Sequence, residues 1–161
     1  LRRQAYARPR RPLIVFTPKA MLRLRGATSE VADFTSGRFE PVIDDATIVD
    51  AGAVRRVLLH AGKIHFDLRA EVEKRGITDI ALVRLEQYHP LPEAELRAVL
   101  GRYPNAEVVW VQDEPENQGA WPFLALEAQK RGMAAMRVVS RHASASPATG
   151  SSKRSAQEHA D

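Results

Sequence analysis

The amino-acid sequence predicts an α/β fold with an open, mostly parallel sheet and helices on both faces of that sheet. From Val54 onward, short apolar segments typical of buried strands alternate with longer segments of helical periodicity. Two of the apolar segments, VRRVLLHAG (54–62) and AEVVWVQ (106–112), run directly into polar residues or a helix start. Such alternation implies right-handed crossovers between parallel strands, with ligands or partner chains bound at the carboxyl ends of the strands.

The N-terminal region is strongly basic. Seven arginines fall within the first 25 residues: Arg2, Arg3, Arg8, Arg10, Arg11, Arg23 and Arg25. Such an arm suits phosphate, nucleic acid or an acidic neighbouring surface, and it equally suits a solvated face between domains. Prolines break this region, so we assign residues 1–12 to a basic linker from a preceding domain.

Residues 13–45 carry weaker signals. The predicted elements are a buried strand LIVFTP (13–18), two helical turns KAMLRLR (19–25), a loop GATSEVADFTSGRF (26–39) and a weak strand FEPVIDD (39–45). Pro18 stops the first strand, and Thr28 or Ser29 is expected to cap a short helix within the loop. The last strand is predicted at a sheet edge because Pro41 cannot donate to a strand ladder.

The remaining part of the domain has a regular rhythm. Its predicted elements are strand 54–62, helix 64–76, strand 80–86, helix 92–105, strand 106–112, helix 119–132 and strand 136–142. In the first of these helices, Ile64, Leu68 and Val72 predict one buried stripe, and Gly76 predicts the end of the helix. We therefore assign residues 13–142 to a single α/β domain.

Residues 143–161 are small and polar, and they predict a loop followed by the start of a tail helix. The chain has no initial Met, and its last residues, SAQEHAD (155–161), stop inside this predicted helix. We therefore expect the chain to be the C-terminal part of a longer polypeptide.

The composition is that of an ordinary folded protein. The 161 residues are 44% apolar and 27% charged, which suits one domain with a real core. There is no cysteine, so disulfides and cysteine-based zinc sites are excluded. No apolar segment reaches the roughly 20 residues of a membrane span, and the N-terminus has no signal-peptide core. We expect a cytoplasmic protein with no membrane partner.

Glycine and histidine patterns give no strong catalytic signal. The AGK turn (61–63) lies where helix amides can hold an anion, but no GxGxxG or GxxxxGK[ST] motif is present, so a plain turn is favoured. His60 and His65 flank this turn without a third ligand, which disfavours a metal site. A histidine at a strand end can act as a general base, although a hydrogen-bonded interface residue is commoner.

The loop after strand 106–112 holds the densest polar chemistry. Its predicted interface residues are Asp113, Glu114, Glu116, Asn117, Gln118 and Trp121. The carboxylates could instead hold a cation, as in a metal-dependent hydrolase. We favour a structural loop at a subunit contact because the Gly119–Trp121 segment suits close packing at a helix start and a buried anchor.

A binding module of another class is the alternative. In that case Arg2, Arg3, Arg8, Arg10 and Arg11 would grip a nucleotide or nucleic acid, and Lys153 with Arg154 could bind phosphate. However, aromatic residues are only 6% of the chain, and no RNA-recognition or helix-turn-helix pattern is present. Nucleic acid is therefore the disfavoured partner.

Five sequence blocks in order resemble one family. The blocks are RRPLIVFTPKAMLR (10–23), GKIHFDL (62–68), VRLEQYHPLP (83–92), VVWVQDEPENQGAW (108–121) and SRHASASPATGSS (140–152). Together they resemble the C-terminal end of the decarboxylating component of 2-oxoglutarate dehydrogenase, including the actinobacterial 2-oxoglutarate decarboxylases. The resemblance covers nearly the whole chain and is weakest from Thr28 to Ala53.

The resemblance implies a thiamine-diphosphate enzyme of the tricarboxylic acid cycle, built like transketolase, whose last domain is an α/β sheet packed in a homodimer. Thiamine diphosphate, Mg²⁺ and the catalytic histidines would lie in the preceding domains of the same chain. This segment alone would then have no catalytic, cofactor or metal residue and would be inactive. The whole enzyme would decarboxylate 2-oxoglutarate and pass a succinyl group to a lipoyl-bearing acyltransferase component.

In actinobacterial relatives this domain also resembles a regulatory acetyl-CoA site. The best match of the motifs assigns Arg3, Arg38 and Gln87 to that site, with Arg38 where lysine is usual.

The chain departs from the acetyl-CoA pattern at three positions. Pro41 replaces a serine, and Ala94 and Glu95 replace two arginines. Each charge-assisted phosphate contact is worth roughly 1.5–3 kcal/mol, so the sequence predicts weak or absent acetyl-CoA control. The pair Tyr88–His89 also replaces a more usual leucine–tyrosine, a change without a functional account.

Overall fold

A computed structural model of the chain describes residues 2–9, 11–151, 153 and 157. The chain divides into two compact units, Leu1–Glu40 and Pro41–Asp161. The domain boundaries predicted at residues 12 and 142 stay predictions. The predicted tail helix lies largely outside the described residues, as does Arg154 of the suggested phosphate site.

The first unit is built from short helical elements. These are α1 (Arg2–Tyr6), 3₁₀ helices at Lys19–Arg23 and Arg25–Ala27, and α2 (Val31–Thr35). Glu30, rather than the predicted Thr28 or Ser29, caps α2 through a capping box with Asp33. Residues 13–18, predicted as a buried strand, form no strand in this structure and are exposed, and the described residues of this unit contain no strand with which they could pair.

The second unit contains the predicted sheet, and its α/β class is confirmed. Its strands are β1 (Val42–Ile43), β2 (Arg56–His60), β3 (Ile80–Leu85), β4 (Glu107–Pro115) and β5 (Arg137–Arg141). The strand order is β1-β3-β2-β4-β5; β1 pairs antiparallel to β3, and the other three pairings are parallel. The weak strand with Pro41 before it is confirmed as a short edge strand.

Three helices connect the parallel strands: α3 (Ile64–Arg75), α4 (Glu93–Leu100) and α5 (Trp121–Lys130). The chain moves from β2 to β3 in one direction across the sheet, and from β3 to β4 and β5 in the other. Right-handed crossovers in opposite directions put α3 on one face and α4 with α5 on the other. An ion pair of 3.1 Å between Arg131, after α5, and Glu93 of α4 agrees with this arrangement.

The main core lies on the side of α4 and α5. There Leu59 and Trp110 of the sheet cluster with Leu96 of α4 and Leu124 of α5. Because side chains alternate along a strand, the neighbours of these sheet residues face α3. Among the described residues, no apolar core of equal size forms between the sheet and α3.

Helix α3 differs from its prediction in one respect. Ile64, Leu68 and Val72 are only partly buried, and no α3 residue is fully buried. The strand ends beneath α3 carry His60 and Arg84, which are paired in the sheet register and reduce the apolar surface available to the helix. Its end at Gly76, with φ of 62°, is confirmed.

Strand β4 is longer than predicted. The sequence ends this strand at Gln112, but it continues to Pro115, which pairs with Arg141 of β5 after a register irregularity beyond Val111. Asp113 and Glu114 therefore belong to a strand and not to a loop. The added pairing with β5 is a tertiary contact that local sequence does not reveal.

Within the described residues, none of the helices has the length and apolar character that a membrane span requires.

Candidate functional site

The candidate site lies outside the carboxyl ends of β2 and β4. These strands are neighbours, but the chain leaves them in opposite directions, toward β3 and β5 respectively. Such a switch point opens a crevice in an open α/β sheet, where ligands commonly bind. The AGK turn follows β2 at this place, and the predicted interface residues lie in the last part of β4 and directly after it.

His60 and His65 form a hydrogen-bonded pair at the end of β2. The Nδ1 atom of His60 lies 2.8 Å from the carbonyl oxygen of Leu58, and its Nε2 atom lies 2.9 Å from Nδ1 of His65. Since the carbonyl can only accept, His60 Nδ1–H donates to it, and His60 Nε2 then accepts from His65 Nδ1–H. The geometry thus fixes both neutral tautomers and ties the end of β2 to α3.

Both histidines are held in the neutral form. Burial lowers the pKa of His60 to about 4, and the nearby positive charges of Arg84 and Arg69 act in the same direction. Burial, followed by the charge of Arg84, likewise lowers the pKa of His65 to about 4. Within this chain the two histidines are hydrogen-bonded to each other, and neither carries a charge near neutral pH.

Lys63 and Asp113 bridge the ends of the two strands. Their ion pair measures 2.5 Å between Lys63 Nζ and Asp113 Oδ2. Among the described residues, Oδ1 of Asp113 is buried without a hydrogen-bond partner. Lys63, the cation that an anion site at the AGK turn would use, therefore already pairs with a carboxylate.

Gln112 organises the segment that follows it. Its Oε1 accepts hydrogen bonds from Trp110 Nε1 at 2.8 Å and from the backbone N–H of Trp121 at 3.0 Å. Its Nε2 donates to the carbonyls of Pro115 at 3.0 Å and Gln118 at 2.9 Å, with a longer contact to Glu114. One buried amide thus joins β4, the following turn and the start of α5.

A second set of hydrogen bonds holds the turn from the side of β5. Asn117 exchanges two bonds of 3.0 Å with the backbone of Ser144, and Gln118 Nε2 donates to the Ser144 carbonyl at 2.8 Å. Arg141 Nε donates to the Asp113 carbonyl at 2.8 Å. The turn is therefore ordered by contacts within this chain.

Gly119 completes the turn in a conformation that favours glycine. Its φ is +66°, and an added Cβ would lie 3.0 Å from both Gln112 Oε1 and Glu114 Cβ. Glycine therefore lets the backbone approach the buried amide.

The predicted interface residues divide into two groups. Asp113, Gln118 and Trp121 are partly buried, whereas Glu114, Glu116 and Asn117 are exposed, although the Asn117 amide is hydrogen-bonded to Ser144. Within the part of the chain that the structure describes, no three His, Asp or Glu side chains come together as a metal site. The described carboxylates therefore offer no such cluster to a cation.

The residues assigned to acetyl-CoA occupy both units. Arg3 lies 4.3 Å from the ring centroid of Phe39, and Arg38 pairs with Glu40 at 2.7 Å, all in the first unit. Gln87 lies in the second unit, where its Nε2 donates to the Pro90 carbonyl at 2.7 Å. Their assignment to one ligand stays a prediction.

Three residues that depart from the usual sequence of the related proteins, Ala94, Glu95 and Tyr88, lie in two places. Ala94 and Glu95 are exposed in the first turn of α4. Tyr88 packs edge-to-face on Trp110 with ring centroids 6.2 Å apart. Burial, together with the charges of Glu114 and Glu86, raises the pKa of Tyr88 to about 12. This phenol is therefore a packing group that stays protonated.

Sequence reasoning missed Asp45, which organises the other side of the sheet. Its Oδ2 accepts from the backbone N–H of Leu82 at 2.8 Å, and its Oδ1 accepts from Arg69 at 2.8 Å and from Thr47. Burial alone would raise the pKa of Asp45, but these hydrogen bonds outweigh it and hold the pKa below its usual value. The one signal in the sequence was a carboxylate at the end of the predicted strand 39–45 with no basic residue beside it.

Comparison with known proteins now adds to this geometry. A family described as 2-oxoglutarate dehydrogenase C-terminal matches residues 28–161. The chain is 45% identical, over 161 residues, to the multifunctional 2-oxoglutarate metabolism enzyme of Mycolicibacterium vanbaalenii. It is 47% identical, over 157 residues, to the 2-oxoglutarate dehydrogenase E1/E2 component of Corynebacterium glutamicum.

Each of these alignments covers 95% of this chain but only 13% of the relative. The family match alone spans well over half of the chain. The resemblance drawn from the five sequence blocks is confirmed, and the chain belongs to the 2-oxoglutarate dehydrogenase C-terminal family.

Proposed function

We propose that this chain is the C-terminal assembly domain of a larger enzyme that decarboxylates 2-oxoglutarate and passes the succinyl group to a lipoyl-bearing acyltransferase component. In this proposal the domain holds two copies of the enzyme together as a homodimer. The family match and the names of the two relatives support the reaction. The small share of each relative that the chain spans supports a function within a longer polypeptide.

The observation that carries the assembly function is the preordered segment from Asp113 to Trp121. Gln112 holds it from beneath, and Asn117 holds it from the side of β5. This order leaves the exposed carboxylates of Glu114 and Glu116 on a rigid surface. A rigid polar surface loses little conformational entropy when a partner binds, which favours a protein contact.

In the proposed enzyme, thiamine diphosphate and Mg²⁺ are held by the preceding domains. When bound there, the thiamine would supply the carbanion chemistry of decarboxylation. Among the described residues of this chain, no three His, Asp or Glu side chains come together to hold the Mg²⁺ ion. The chain's own contribution is positional: it fixes the surface against which a second copy packs.

The assembly function can be tested on the full-length polypeptide. We expect the double variant Glu114→Arg/Glu116→Arg to shift the molar mass measured by light scattering from dimer to monomer, because charge reversal at a contact costs affinity. Asp67→Arg/Glu73→Arg, an equal charge change at two exposed positions of α3, is the matched control and should stay dimeric. An unchanged dimer in the double variant would contradict the proposal.

The location of the chemistry has a separate test. The 161-residue chain, incubated with thiamine diphosphate, Mg²⁺ and 2-oxoglutarate, should release no CO₂ above the protein-free blank. The full-length polypeptide should release CO₂ under the same conditions. Turnover by the short chain would show that this domain carries the reaction itself.

A further inference from the structure

Leu13–Phe16 is an apolar segment that the first unit leaves uncovered. Its four residues, LIVF, are all exposed, with Ile14 at 77% and Phe16 at 94% of their full accessible surface. No residue of this unit whose burial is described is fully buried. Contiguous apolar surface of this kind marks a contact site in a soluble protein.

The backbone of the same segment is also uncovered. No helix, turn or strand includes residues 11–18, and among the described residues no backbone hydrogen bond joins 13–17 to another segment. Pro12 and Pro18 lack the N–H that a strand ladder needs, so they limit any pairing to the five residues between them.

The order of the side chains indicates what kind of surface covers them. In a strand, successive side chains point to opposite faces, so four apolar residues in a row require apolar cover on both faces. The chain provides its own comparison in β3, where Ala81, Leu82 and Val83 follow one another and all are buried. They are buried because helices cover both faces of that sheet.

We propose that Leu13–Thr17 is a strand that completes a sheet covered on both faces, formed by a part of the full-length polypeptide outside these 161 residues. This inference rests on the proposed function, because it requires a longer polypeptide. The family match begins at residue 28, after this segment, and the relatives are far longer than this chain. Pairing with the same segment of a second copy would give only a two-stranded ribbon with open faces, which is not stable by itself.

Hydrogen exchange of the full-length polypeptide tests the inference. We expect the amides of Ile14, Val15 and Phe16 to exchange at least about 100-fold more slowly than those of the same segment in the 161-residue chain. Fast exchange in both proteins would overturn the proposal. So would protection in the short chain that rises with its concentration, because that result indicates pairing between copies.

Two substitutions in the full-length polypeptide test the cover on each face. Ile14→Asp and Val15→Asp place a carboxylate on opposite faces of the strand, and we expect each to abolish the slow exchange of residues 13–17. Val49→Asp is the matched control, since Val49 is fully exposed. Loss of protection in only one of the two variants would show a strand covered on one face and would overturn the proposal.

The exchange measurement on the wild-type protein decides whether residues 13–17 form a protected strand, even where a variant fails to fold. CO₂ release by the same full-length sample separates the two proposals. Slow exchange without decarboxylation would contradict the proposed function alone, whereas decarboxylation with fast exchange would contradict this inference alone.

Discussion

At the scale of single residues, the buried side chain of Gln112 joins three segments of the chain through its hydrogen bonds. Its amide oxygen accepts two N–H groups and its amide nitrogen faces three carbonyls, so both ends of one neutral group are used in a buried position. A carboxylate has the same shape but no donor, and a hydrocarbon has neither function. The hydrogen bonds depend on the amide and not merely on the volume of the side chain.

We predict that Gln112→Glu lowers the free energy of unfolding by about 3 kcal/mol at neutral pH, because the new carboxylate faces carbonyl oxygens in a buried site. Urea unfolding followed by tryptophan fluorescence measures the change. Gln129→Glu makes the same substitution at an exposed position of α5 and should cost less than about 0.5 kcal/mol. Equal effects of the two substitutions would contradict the assigned function of the amide.

The His60–His65 pair predicts a loss of stability in acid. The pKa of each histidine lies at about 4 in the fold, below the ordinary value of 6.5 that applies to the unfolded chain. The unfolded chain therefore binds more protons than the fold between these pH values, and stability falls as the pH drops from about 6.5 to about 4. The charges around the pair are Arg84, Arg69 and Asp45.

The measurement is a series of urea unfolding curves from pH 7.5 to 4.5. His65→Phe should flatten the pH dependence, because it removes one of the two groups that must lose their proton on folding. His142→Gln, at an exposed position after β5, should leave the dependence as it is in the wild type. A wild-type protein with constant stability across this range would contradict the lowered pKa of the two histidines.

At the scale of elements, the local sequence pattern predicts most helices and strands, and tertiary contacts explain the elements whose bounds or presence differ from the prediction. The helix end at Gly76 and the parallel strands follow from side-chain periodicity and glycine conformation, which act within a few residues. The extension of β4 to Pro115 depends on β5, and the absence of a strand at residues 13–18 depends on a missing partner. Neither fact is encoded in the neighbouring residues.

The turn before α5 gives a prediction at this scale. Gly119→Ala should lower the free energy of unfolding by roughly 2–3 kcal/mol, because the methyl group meets both an unfavourable φ and the Gln112 amide. Gly132→Ala is the matched control: its φ of +57° is also positive, but no atom lies within 4 Å of its added Cβ. The control should cost about 1 kcal/mol. Chemical denaturation of both variants decides whether crowding adds to the conformational penalty.

At the scale of the whole molecule, the sequence predicted the fold class and the family, and it predicted the loop after β4 as the place of interest. It did not indicate that Asn117 and Gln118 would bond to Ser144, because that contact spans 26 to 27 residues. Nor did it identify His60 and His65 as partners, although the two lie five positions apart. Their contact requires the exact bend of the turn between strand and helix.

Regulation by acetyl-CoA gives a prediction for the intact enzyme. We expect calorimetry of the full-length polypeptide to show weak or no acetyl-CoA binding, because Ala94 and Glu95 stand where two phosphate-binding arginines are usual. Both positions are exposed on α4, so the change Ala94→Arg/Glu95→Arg should be tolerated. This double variant should bind at least about 10-fold more tightly, as one added phosphate contact predicts. Tight binding by the wild type would contradict the prediction.

The hydrogen bond from Leu82 to Asp45 has a consequence for solubility. Strand β1 covers only two residues of β3, and beyond it the Asp45 side chain occupies the N–H group of Leu82 that a further strand would need. Misassembly by strand addition is thereby blocked on one side of the sheet, so aggregation of this protein should start, if anywhere, along the opposite margin at β5.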